Sequence, residues 1–142
     1  MDDARDEFLA GDRPDEVALF VSEADAAGRL AERGIETERG VLLVLPGERG
    51  RAAFSAGTGT DAMTFAGQAM SRDGRVALTL DSGECPEDDG EERHAVRFLL
   101  AFAEAENPEV GGQYAEGDVI HAYAKCDCGV AYADRWVVGE RA

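Results

Sequence analysis

Lysine is almost missing from this chain of 142 residues: of its 14 cationic side chains only Lys125 is a lysine, and the others are arginines. Long apolar runs are missing as well. No stretch approaches the ~18 consecutive apolar residues of a membrane-spanning helix. The opening Met1-Asp2-Asp3-Ala4-Arg5-Asp6-Glu7 is the reverse of a secretion signal's basic start. Basic residues nowhere cluster, which argues against free-standing nucleic-acid binding, because that depends on a cationic footprint. The expected location is therefore the cytoplasm, with neither membrane nor nucleic acid as partner. The three cysteines are not needed as staples, since a domain of this size buries roughly 68–70% of its unfolded surface.

Carboxylate is what the chain has in excess. Thirty Asp and Glu against 14 Lys and Arg give a formal charge of −16 with both histidines neutral. Acidic residues at this density, with little lysine and much Ala and Gly, match the surface of a cytosolic protein from a salt-accumulating halophile. In molar salt the Debye length falls to about 3 Å, and a surface that repels itself at low ionic strength becomes tolerable. The charge is then read as a habitat and not as the imprint of a basic partner.

The order of apolar and turn segments predicts one α+β domain over residues 1–142. Its sheet is expected to be mixed or mostly antiparallel, with about five strands, two to three helices packed on it and a C-terminal hairpin. Phe8 and Leu9 before Gly11 suit one short helical turn. Val17-Ala18-Leu19-Phe20-Val21 has the continuous apolar character of a strand buried on both faces. Ser22 can cap a helix over about 23–33 that stops at Gly34. Val41 to Leu45 is the most hydrophobic strand candidate, and the turn-like Pro46-Gly47-Glu48-Arg49-Gly50 suggests a hairpin returning through Ala52, Ala53 and Phe54. Thr60 can cap a helix whose stripe is Ala62, Met63, Ala66, Ala69 and Met70, and Val76 to Leu80 reads as a strand. Seven carboxylates within residues 81–92 call for a solvated loop. Residues 91–106 are apolar on most faces and are expected to form a central helix that buries Phe98, Leu99 and Phe102. Val119 to Ala124 and Val130 to Val138 are the strands of the last hairpin. Tyr114, Tyr123, Tyr132 and Trp136 in or beside them are expected in the core or in cross-strand pairs.

The sharpest chemical signal is Lys125-Cys126-Asp127-Cys128-Gly129 at that hairpin's tip. A turn that aims two thiolates at one point and ends in a glycine resembles half of a zinc knuckle, although ribbon-type knuckles place two residues between their cysteines and here there is one. A tetrahedral Cys₃His zinc site can be completed by Cys85 with His121 or His94. His121 is the preferred imidazole, because it precedes the hairpin tip and can share a sheet edge with Cys85. Inert buried thiols and a strained, labile Cys126–Cys128 disulfide are the competing readings. A nucleophilic Cys128 or Cys85 would need one of the two histidines beside it.

Weaker signals lie elsewhere. Gly57-Thr58-Gly59-Thr60-Asp61-Ala62, with Asp81 about 20 residues on, loosely resembles a dinucleotide-binding turn. Asp61, however, would place its own charge where a phosphate must sit, so a plain glycine turn is the better reading. Glu84, Glu87, Asp88, Asp89, Glu91 and Glu92 offer oxygen ligands for a divalent cation but lack the alternation of a calcium loop.

Three segments, Gly11 to Phe20, Ala124 to Gly129 and Ala133-Asp134-Arg135-Trp136-Val137-Val138, resemble a small uncharacterised family of halophilic archaeal proteins. The resemblance implies origin and single-domain organisation and transfers no catalytic or binding residue. The chain is accordingly expected to be a cytoplasmic, haloadapted, non-enzymatic accessory or interaction protein with an unidentified protein partner. Its candidate structural zinc would be held by Cys85, Cys126, Cys128 and His121. The alternative is a small thiol-dependent or nucleotide-binding enzyme. If the charge pattern is a salt adaptation, the melting temperature followed by circular dichroism should climb steeply between dilute buffer and molar KCl. A flat profile would remove that reading.

Overall fold

The computed structural model describes residues 4–13, 15–22, 35–36, 40–87, 94–105 and 109–138. Its main sheet is antiparallel throughout and holds six strands: β1 (Glu16–Ser22), β2 (Ile35–Glu36), β3 (Gly40–Pro46), β6 (Val96–Glu104), β7 (Val119–Cys126) and β8 (Ala131–Val137), in the order β2-β3-β1-β6-β7-β8. Two further short strands, β4 (Arg75–Val76) and β5 (Gly83–Glu84), pair only with each other. Three helices lie among the described residues: α1 (Ala4–Leu9), α2 (Gly47–Thr58) and α3 (Ala62–Ala69). The α+β class, the antiparallel sheet and the C-terminal β7–β8 hairpin are as expected. The expected helix over 23–33 lies outside the described residues.

Both faces of the sheet are buried, and side-chain alternation along the strands sorts the core into two layers. On one face Leu19, Leu43, Phe98, Leu100 and Tyr123 meet α2 and α3. Phe54 of α2, Phe65 of α3 and Phe98 of β6 form a three-ring cluster with centroids 5.1–5.5 Å apart. On the other face Phe20, Leu42, Leu99, Ala101, Ile120, Ala122, Ala124 and Cys126 are covered by Phe8 of α1 and by the β4–β5 arch with its neighbours Leu80 and Cys85. The arch seats on Tyr132. A Cβ at Gly74 would come within 2.3 Å of the Tyr132 ring and one at Gly83 within 2.5 Å of its hydroxyl, so both positions must be glycine for the arch to lie this low.

Several expectations are corrected. Residues 96–104 are not a helix but the central strand β6, paired with β1 on one side and β7 on the other. A strand buried on both faces is apolar at every position, and this removes the period that would separate it from a buried helix. Phe98 and Leu99 are buried as anticipated, whereas Phe102 is half-buried near the sheet's end. Gly47 to Gly50 opens α2 instead of a hairpin turn. Pro46 stands in extended conformation just before it, Gly47 N donates to Asp15 O at 3.0 Å, and Glu48 lies in the positive first turn. Gly50 is there for packing: a Cβ would meet Val17 Cγ2 at 2.0 Å. On α3, Met63 and Met70 are exposed and Phe65 fills the core. The helix is capped by Asp61, not Thr60, with Thr64 N donating to Asp61 Oδ2 at 3.0 Å. Of the expected Val76–Leu80 strand only Val76 lies in a strand, the two-residue β4. Leu80 turns the chain back at φ 60°, donating its N–H to Ala77 O at 2.9 Å, and buries its side chain.

Trp136, Tyr132 and Tyr123 are core residues, while the side chain of Tyr114 lies outside the described residues. Phe98→Ala should cost about 3–5 kcal/mol in denaturant unfolding, because it removes the ring shared by α2, α3 and the sheet, and Phe102→Ala should cost less. Gly50→Ala should also destabilise, by forcing α2 away from β1.

Candidate metal centre

The strand β7 carries Cys126 as its last residue, on the face that also holds Ile120, Ala122 and Ala124. Beyond it the chain turns tightly: Cys126 N donates to Val130 O at 2.8 Å, Gly129 N donates to Cys126 O at 3.0 Å, and Gly129 adopts φ 99°. This conformation suits glycine and leaves Cys128 exposed at the tip. Asp127, between the two cysteines, holds the turn to the chain leading into β6. Its N–H donates to Ala95 O at 2.8 Å, and its Oδ1 accepts from Ala95 N at 3.3 Å and from the Cys126 thiol at 3.5 Å. That clamp brings His94, the residue before Ala95, to the cysteines, with Nδ1 3.3 Å from Cys126 Sγ. A register shift follows at once between Val96 and Phe98, a common irregularity where a strand must re-aim a side chain.

Cys85 arrives from the opposite side, one residue after β5, buried beneath the arch. Its Sγ lies 3.8 Å from Cys128 Sγ. The ligand atoms of Cys85, His94, Cys126 and Cys128 all fall within 4.8 Å of one another. Two sulfurs bound tetrahedrally to zinc at about 2.3 Å would stand about 3.8 Å apart, so the Cys85–Cys128 pair already has the spacing of a tetrahedral edge.

His121 is not part of this group. It is five residues before Cys126, an odd separation, and so projects to the other face of β7. There its Nε2 pairs with Glu104 Oε2 at 2.8 Å and its ring stacks on Phe102 at 5.1 Å. With Tyr123, Asp134, Arg135 and Met70 it lines an open groove of about 520 Å³. In the cluster that could hold a metal, His94 stands where His121 is expected. Asp127, which sequence reasoning passed over as a spacer, turns out to be the residue that places His94.

The three thiols of the cluster differ in their electrostatics. Burial pushes the Cys85 thiol up and the Cys126 thiol up to about 12, whereas the backbone N–H of Val130 draws Cys128 down. Burial, reinforced by the neighbouring sulfur charge, also pushes the Tyr132 phenol up. Three thiolates this close repel one another, and a divalent ion between them supplies the charge that makes deprotonation favourable.

The other candidates fare differently. The helix α2, not a strand, runs through Gly57 and Thr58 to its C-cap at Gly59, and the Asp61 carboxylate occupies the α3 N-terminus, so the dinucleotide layout is not formed. Asp81 is buried in a turn. In the acidic segment Glu84 and Glu87 are exposed and Glu87 pairs with Arg72, while Asp88, Asp89, Glu91 and Glu92 lie outside the described residues.

A family profile matches residues 34–139, three quarters of the chain and all four clustered donors. The chain belongs to the family of unknown function DUF5807. The DUF5807 match takes in two of the three segments that carried the sequence resemblance, 124–129 and 133–138, and leaves 11–20 outside. No curated protein and no solved structure matches the chain. Among the described residues no helix is long and apolar enough to cross a membrane.

If the cluster takes up zinc, binding should release protons, because burial raises the Cys85 and Cys126 thiols. Its apparent affinity should therefore tighten as pH rises, about tenfold per pH unit for each proton displaced. Competition with a chromogenic chelator at several pH values checks this. A pH-independent affinity would mean that the thiols are not the ligands.

Proposed function

We propose that the protein is a cytoplasmic accessory protein of a salt-rich cell, acting through a protein partner, whose fold is closed by one structural zinc ion on Cys85, His94, Cys126 and Cys128. The carrying observation is the convergence of these four donors within 4.8 Å from three separate parts of the chain. Bound there, zinc would tie the β4–β5 arch, the lead-in to β6 and the β7–β8 turn into one unit, and its binding energy would count as folding energy. The near absence of lysine and the charge of −16 support the salt-rich setting, and the lack of a basic cluster argues against nucleic acid as the partner.

The thiol-enzyme reading has two observations in its favour, the exposed Cys128 whose thiol the Val130 N–H draws down and the 3.3 Å contact between His94 and Cys126. Against it, Cys126 is 1% exposed and its burial holds the thiol protonated, the opposite of an activated nucleophile.

Protein purified under reducing conditions should carry one zinc per chain by elemental analysis. Stripping the metal with a chelator should lower the melting temperature by several degrees, and Cys126→Ser should lose both the metal and the chelator response. A metal-free protein that takes up no zinc and melts identically with and without chelator overturns the proposal.

A further inference from the structure

The four donors are unequal in a way that a purely structural site does not require. Cys126 is 1% exposed and is engaged by His94 and by Asp127. Cys85 is 5% exposed but sits in the loop after a two-residue strand rather than in the main sheet. Cys128 is exposed at the tip of the turn, beside the φ 99° Gly129, where even an added Cβ would meet nothing within 4 Å. One accessible sulfur therefore stands 3.8 Å from a sheltered one, and a disulfide needs that gap to close to about 2.05 Å. Cys126 is a poor alternative partner for Cys128, because a bridge across a single residue is strained.

We propose that Cys128 and Cys85 form a peroxide-responsive pair that expels the zinc ion by closing into a disulfide. The inference rests on the metal reading above and adds a regulated state to that site. In the first step the Cys128 sulfur attacks one oxygen of hydrogen peroxide. The O–O bond breaks, the sulfur becomes sulfenic acid, and the departing hydroxide takes a proton to leave as water. In the second step the Cys85 thiolate attacks the Cys128 sulfur. An S–S bond forms, the S–O bond breaks, and the second hydroxide is protonated to water. The two thiolates together lose two electrons, and one peroxide is reduced to two waters. Only His94 and Cys126 then remain as ligands, half of a tetrahedral set, and the ion leaves. A thiol reductant reverses the change by reopening the bridge.

The zinc-loaded, reduced protein is the material for the test, and its metal content is measured before any oxidant is added. On titration with hydrogen peroxide, one zinc should be released per disulfide formed, as read by a metallochromic indicator. Peptide mapping without reduction should find Cys85 joined to Cys128 and Cys126 still open to alkylation. Dithiothreitol should restore zinc binding. The exposed Met63 and Met70 act as an internal measure of oxidant dose, so release should precede their conversion to sulfoxide. In Cys85→Ser the Cys128 sulfenic acid should persist and be trapped by a 1,3-dione. Zinc retained after both methionines are oxidised overturns the redox inference and leaves the metal site standing, as does a bridge through Cys126. A protein that holds no zinc before peroxide overturns the metal reading and this inference with it.

Discussion

A strand with no solvent-facing side must be covered twice, and most of this structure follows from that demand. β1 and β6 form the middle of the sheet and are apolar on both faces, and β7 beside them is nearly so. Each face of such a strand removes hydrocarbon from water at roughly 25 cal/mol per Å² only if something packs against it. The helices α2 and α3 cover one face. Among the described residues the other is covered by the turn and a half of α1 together with the β4–β5 arch. The sulfur–imidazole cluster sits at the margin of this second cover, where the arch meets the β7–β8 turn. The same demand explains how Cys85 comes to lie over Cys126 at all, since the residue follows the arch down onto the sheet.

The sequence was readable where an element shows a contrast and unreadable where it shows none. β1 and β3 are short apolar runs between polar ends and were placed to within a residue. The β7–β8 hairpin was placed from its turn and its aromatic spacing. β6 is misread because Val96 to Phe102 is apolar at nearly every position, which leaves no period to separate a buried strand from a buried helix. Gly47 and Gly50 failed for a different reason. A glycine required by a close helix–strand approach is spelled like a glycine required by a turn, and only the Val17 side chain beneath Gly50 tells them apart.

The site was legible in its composition but not in its membership. Three thiols and an imidazole do converge, at the turn from Cys126 to Gly129. The choice between the two histidines could have been made from strand parity alone, since His121 and Cys126 are five residues apart on one strand and cannot share a face. No such parity places His94, because residues 91–106 read as a helix in the sequence. Its position depends on the paired hydrogen bonds between Asp127 and Ala95, a contact between residues 32 apart that no local pattern announces.

Tyr132 has a consequence of its own. Its ring lies between the arch and the sheet, pressed by Gly74 and Gly83 on one side, so its thickness works as a spacer that sets how high the arch rides. Cys85 is two residues beyond Gly83, whereas Cys126 and Cys128 belong to the hairpin that carries Tyr132. One buried aromatic ring therefore gauges the separation between the sulfur on the lid and the sulfurs on the floor. The spacing of the four donors is then set in part by a residue that is not one of them.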